Sequence, residues 1–185
     1  MKALKPFDIA FVGLSNGKHE FTFDLNNDFF NCFENSEISL AELKGKLILH
    51  KKSNMLDLEF YIHGNAEVEC DRCMDHFWCP VNIHRILYIK FGDRHDEQSD
   101  EVIIIPSTES HIDVAQYFYE FTILGLPAKK THPQLASGEE GCNAETLKQL
   151  EKYLTDSKNR NKKGENADQP TDSRWDALKG LKFNN

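Results

Sequence analysis

Two cysteines spaced as Cys70-Asp71-Arg72-Cys73 lie in the stretch Val68 to Val81, between two runs that read as β-strands. Cysteines at this spacing clamp a metal, exchange electrons as a dithiol, or pack as buried thiols. A redox pair of the thioredoxin kind follows a strand and opens a helix. Strand patterns on both sides of this pair argue against redox catalysis. The turn suits a zinc knuckle, in which both thiolates face one tetrahedral ion.

A closed zinc site needs four protein ligands, so two more are required. His76 and Cys79 lie within the same hairpin, but a set drawn from there would crowd all four ligands into one tight turn. His132 and Cys142 lie in a later loop and complete a C-x-x-C…H-x9-C arrangement. Cys70, Cys73, His132 and Cys142 are therefore the candidate zinc set, with metal-free reduced thiols as the alternative. Cys32, among Phe29, Phe30 and Phe33, reads as packing. No open position, base or acid pair accompanies the cysteines, so the constellation reads as structural. The phosphate-cradling G-x-x-x-x-G-K, the G-x-S-x-G elbow and H-E-x-x-H are missing from the sequence. Asp113 and Glu120 can share a helix face, but nothing marks them as an acid–base couple. The chain is expected not to be an enzyme.

The elements around these residues follow from hydrophobic periodicity. Phe7–Val12 and His19–Asp24 read as two short strands joined by a turn at residues 13–17. Residues 28–33 suit a short helix. Leu47, Leu49, Leu56, Leu58, Phe60 and Ile62 recur at every second position, the signature of half-buried strands, with Lys51 to Asn54 as the turn between them. Val81, Ile83, Leu87, Ile89 and Phe91 continue the pattern beyond the cysteines. Gly92 to Glu101 reads as an acidic surface loop, and Val102 to Ile105 as a short strand stopped by Pro106. His111 to Leu124 is apolar over a wide arc and predicts a largely buried helix ended by Gly125 and Pro127. A second helix is expected over about 143–154.

The expected fold is α+β: an antiparallel sheet or barrel-like sandwich from about residue 5 to 105, covered by one long helix. The main domain is expected over 1–156. Residues 157–172 lack apolar periodicity and read as a disordered linker. Residues 173–185 are expected to carry a short terminal helix with Trp175, Leu178 and Leu181 on one side.

Bulk properties narrow the function classes. A chain of 185 residues with 39% hydrophobic residues and thirteen Phe has enough apolar material for a core. Five cysteines is an odd number in a chain with no export signal, so a disulfide framework is not expected. No apolar run approaches the ~20 residues of a membrane helix, and the chain reads as soluble and cytoplasmic. A formal charge of −8 argues against a simple nonspecific nucleic-acid binder and makes a basic protein partner plausible.

Five ordered features together resemble the YceD family of large-ribosomal-RNA-subunit accumulation proteins. They are the Cys-x-Arg-Cys turn; Ile112-Asp113; the run Tyr119 to Leu124 into Gly125-Leu126-Pro127; the loop from His132 to Gly141-Cys142; and Arg174-Trp175-Asp176-Ala177-Leu178. The resemblance spans about Phe7 to Leu181. It implies a non-enzymatic role in making or accumulating 23S ribosomal RNA, hence in large-subunit assembly. The family's cysteine turn falls on Cys70, Arg72 and Cys73, its helix acid on Glu120 and its terminal arginine on Arg174. Many relatives have a cysteine-richer loop after the helix, where this chain has only His132 and Cys142. Two modes of action follow. In one, the protein binds rRNA or a large-subunit precursor particle through Arg72, Lys129, Lys130, Arg174, Trp175 and the lysines of 158–163. In the other, it is an acidic escort for a basic ribosomal protein and affects rRNA indirectly.

Overall fold

The structure, a computed structural model, describes residues 4–34, 36–134 and 141–160, with side chains as far as Tyr153. The terminal segment with Arg174 and Trp175, and the expected linker from residue 161 onward, lie outside the described residues. Among the described residues the fold is mixed α+β, strand-rich with three α-helices. The chain divides into two compact units, residues 1–142 and 143–185.

In the first unit, the period-two runs become the long strands β2 (Gly17–Asn26), β3 (Leu40–Lys51), β4 (Met55–Glu69) and β5 (His76–Gly92). They pair as an antiparallel meander in sequence order. Lys51 to Asn54 forms the β3–β4 turn, closed by the Lys52 N–H donating to the Met55 carbonyl at 3.0 Å. The alternation puts Leu47, Leu49, Leu56, Leu58, Phe60, Ile62, Leu87 and Ile89 on one buried face.

The structure departs from the sequence expectations in four respects. The sheet is not wholly antiparallel, because β7 (Val102–Pro106) pairs parallel to β5. The acidic stretch forms strand β6 (Asp96–Ser99), which returns along the outer edge, and β7 then turns into the gap between β6 and β5. No pairing joins β2 to β6 among the described residues, so the sheet is open rather than a barrel. The first strand, β1 (Asp8–Ile9), does not pair with β2. It pairs with β8 (Ile112–Asp113), about a hundred residues later, in a separate two-stranded sheet.

That pairing also shortens the expected helix. Ile112 and Asp113 are extended, and α2 runs over Ala115–Gly125, with the Asp113 carboxylate accepting the Ala115 N–H at 2.9 Å. Phe118 projects from α2 into the core, where its ring meets those of Phe7, Phe23 and Phe60 at 5.0–6.0 Å. It lies over Gly45 on β3, where an added Cβ would stand 2.8 Å from the ring. Glycine is required there by space. The short helix α1 (Asn27–Phe30), capped by the Asn26 side chain, adds Phe29 and Phe30 to the same core.

In the second unit, α3 (Ala144–Arg160) starts at an Asn143 side chain that accepts the Glu145 N–H at 3.0 Å. It extends past the expected end at Leu154.

Candidate metal centre

The β4–β5 hairpin narrows to a tight turn at residues 70–75. The Cys70 N–H donates to the Asp75 carbonyl at 3.0 Å, and the Met74 N–H donates to the Cys70 carbonyl at 2.9 Å. Closing the turn puts Met74 at φ 65°, and it is the one non-glycine described residue in the left-handed region. A side chain there costs about 1–2 kcal/mol, part of which glycine would offset by its greater unfolded freedom. Met74→Gly is therefore expected to raise the melting temperature by about 1–4 °C by calorimetry. A fall would mean that the exposed Met74 side chain makes contacts worth more than the strain.

A later loop is fastened onto this turn. The Asp71 N–H donates to the Lys130 carbonyl at 2.7 Å, and the Asp71 carboxylate accepts the Lys130 N–H at 2.6 Å. The Lys130 ammonium pairs with Glu37 at 2.6 Å, which raises its pKa. The His132 ring lies against Phe77 with centroids 4.8 Å apart. Gly141 passes so close to Pro133 that a Cβ would stand 2.6 Å from its carbonyl oxygen. The absence of a side chain there lets Cys142 reach the turn.

These contacts bring Cys70, Cys73, His132 and Cys142 together, with one ligand atom from each all within 4.8 Å of one another. Cys70 Sγ is 3.8 Å from Cys142 Sγ, and Cys73 Sγ is 3.4 Å from His132 Nδ1. A tetrahedron of ~2.3 Å Zn–S and ~2.0–2.1 Å Zn–N bonds has edges of about 3.8 Å (S···S) and about 3.5 Å (S···N). The residues fit zinc in kind, number and spacing. All three thiols are buried, and none is in a disulfide.

The electrostatics fit a cation as well. Burial works against ionising Cys70. The N–H groups of Arg72, Cys73 and His132, together with the His132 side chain, outweigh it and bring the thiol down to about 6. Cys142 is pushed up to about 11, first by burial and then by hydrogen bonds and negative charge from Cys70 and Cys73. The cluster thus favours a thiolate at Cys70 and opposes one at Cys142. A divalent ion at its centre removes that opposition.

The alternatives within the hairpin fall elsewhere. His76 is exposed on β5, and Cys79 is buried in the hydrophobic core, where burial pushes its thiol up. Cys32 donates to the Asp28 carbonyl at 3.2 Å in the turn after α1. Of the proposed contact residues, Lys129 is exposed, Arg72 is half-buried in the knuckle, and Lys130 is held by Glu37. Glu120 is exposed on α2 and accepts from the Gln116 side chain at 2.7 Å.

Residues 58–182 match the protein family described as "Large ribosomal RNA subunit accumulation protein YceD". That is more than half of the chain. The chain belongs to the YceD family. No curated protein and no solved structure matches it. The matched span contains all four clustered ligands and begins within β4, so β1, β2, α1 and β3 lie before it.

The Asp71–Lys130 contact had no sequence signal, because a loop closure between distant residues leaves no periodicity. If it positions the ligands, Asp71→Ala should weaken zinc binding by about 10- to 100-fold in chelator competition. Asp71→Asn, which keeps an acceptor oxygen, should restore most of it. Equal affinity in all three proteins would remove Asp71 from the site's support.

Proposed function

We propose that this protein is a non-enzymatic factor in large ribosomal subunit assembly, needed for 23S rRNA synthesis, processing or accumulation, and that it binds rRNA or a precursor particle in the cytoplasm. The family match over residues 58–182 carries this reading, because the family's description names accumulation of the large-subunit RNA. Arg72, Lys129 and Arg174 are the RNA-facing candidates. Zinc held by Cys70, Cys73, His132 and Cys142 would have four protein ligands and no open position, so it acts as a cross-link between hairpin and loop.

A second reading is favoured by the ion pairs. Lys44, Lys46, Lys52 and Lys130 pair with Asp24, Glu20, Asp57 and Glu37, so these cations are already opposed by carboxylates. With a net charge of −8, the chain then suits an escort that holds a basic ribosomal protein. On either reading, deleting the gene should lower 23S rRNA relative to the small-subunit RNA. An unchanged ratio would contradict both. Filter binding to rRNA fragments separates the two: a direct binder that neutralises about three to five phosphates shows a shallow but measurable salt slope, and an escort shows none.

A further inference from the structure

Among the described residues, six large apolar side chains are exposed. Three of these, Leu40 (42% exposed), Met74 (65%) and Trp78 (44%), lie at the knuckle end of the sheet. Leu40 on β3 is opposite Glu67 on β4, and Glu67 is opposite Trp78 on β5. Directly paired residues share a face, and adjacent strands lie about 4.8 Å apart. Leu40 and Trp78 therefore flank Glu67 across ~10 Å, on the face opposite the buried core. Period two adds Glu42 and Glu69 to that face. Its positions 40, 42, 65, 67, 69, 76, 78 and 80 include no lysine or arginine. Among the described residues, no ion pair engages Glu42, Glu67 or Glu69.

The geometry points to this face as a docking surface for a basic polypeptide segment. Such a segment sets an apolar anchor on Leu40 and Trp78 and places lysine or arginine side chains against Glu42, Glu67 and Glu69. An exposed tryptophan with a second exposed apolar residue two strands away on the same face is the composition of an interface hot spot. The three glutamates, of which Glu69 also acts through space on the Lys130 ammonium, select a cationic occupant and repel a nucleic-acid backbone. The inference rests on the escort reading and assigns it a surface.

The test is photo-cross-linking in cells with the full chain carrying Trp78→p-benzoylphenylalanine, which keeps a large aromatic at an exposed position. The expected product is an adduct with a lysine- and arginine-rich large-subunit protein. Binding of that protein should weaken at least ~10-fold in Trp78→Ala, and the adduct should fall similarly when Glu42, Glu67 and Glu69 are all changed to Gln. An adduct with RNA, with a second copy of the chain or with the chain's own residues 173–181 would overturn the proposal. So would no adduct, or binding that these variants leave unchanged. A basic protein recovered with the chain but untouched by position 78 refutes the surface and leaves the escort reading standing. Recovery of no basic protein refutes both.

Discussion

Cys70→Ser is expected to abolish stoichiometric zinc binding. Cys70 is fully buried, accepts N–H groups of the turn and the loop, and lies 3.8 Å from Cys142 Sγ. A serine oxygen reaches less far than sulfur and stays protonated, so it replaces neither the length nor the charge of the thiolate ligand. With three ligands left, affinity should fall by more than ~100-fold, beyond the loss from removing a supporting residue. Purified without chelator, the parent should carry about one equivalent of zinc by elemental analysis, and the variant less than a tenth. Cys79→Ser is the control. Its thiol is buried in the core outside the cluster, so it should keep full zinc while losing stability. A parent protein without zinc would overturn the metal assignment.

Phe118→Ala is expected to destabilise the first unit by about 3–5 kcal/mol, lowering its melting temperature by roughly 6–20 °C. The ring is fully buried between α2 and the sheet and meets three other phenylalanines. The cavity would be floored by Gly45, which has no side chain to fill it. Leu124 on the same helix is 72% exposed, and Leu124→Ala should change little. A loss below about 1 kcal/mol for Phe118→Ala would show that the helix is not seated through this ring.

The long strands were legible because most of their inward positions are Leu, Ile, Val or Phe at period two. The parallel β5–β7 pair was not, since short parallel and antiparallel strands alternate alike. The start of α2 was misplaced because Ile112 and Val114 fit an apolar helix arc as readily as a strand. What decides it is pairing with Asp8 and Ile9, a contact set by the rest of the fold. At the candidate metal centre, spacing pointed to Cys70 and Cys73, and the need for four ligands led to His132 and Cys142. The cation of Lys130, read as an external contact, pairs with Glu37 across the loop closure, a partner with no sequence signal. Leu40 and Trp78 are 38 positions apart in the chain, and only strand register sets them on either side of Glu67.

Sedimentation of a cell extract through a sucrose gradient at low salt, probed for this protein, tests the ribosome-assembly claim most directly. The expected result is a fraction of the protein running with large-subunit precursors, released to the top as salt is raised. A protein found wholly at the top of the gradient at low salt, in cells that need it for no part of their 23S rRNA, would contradict the account.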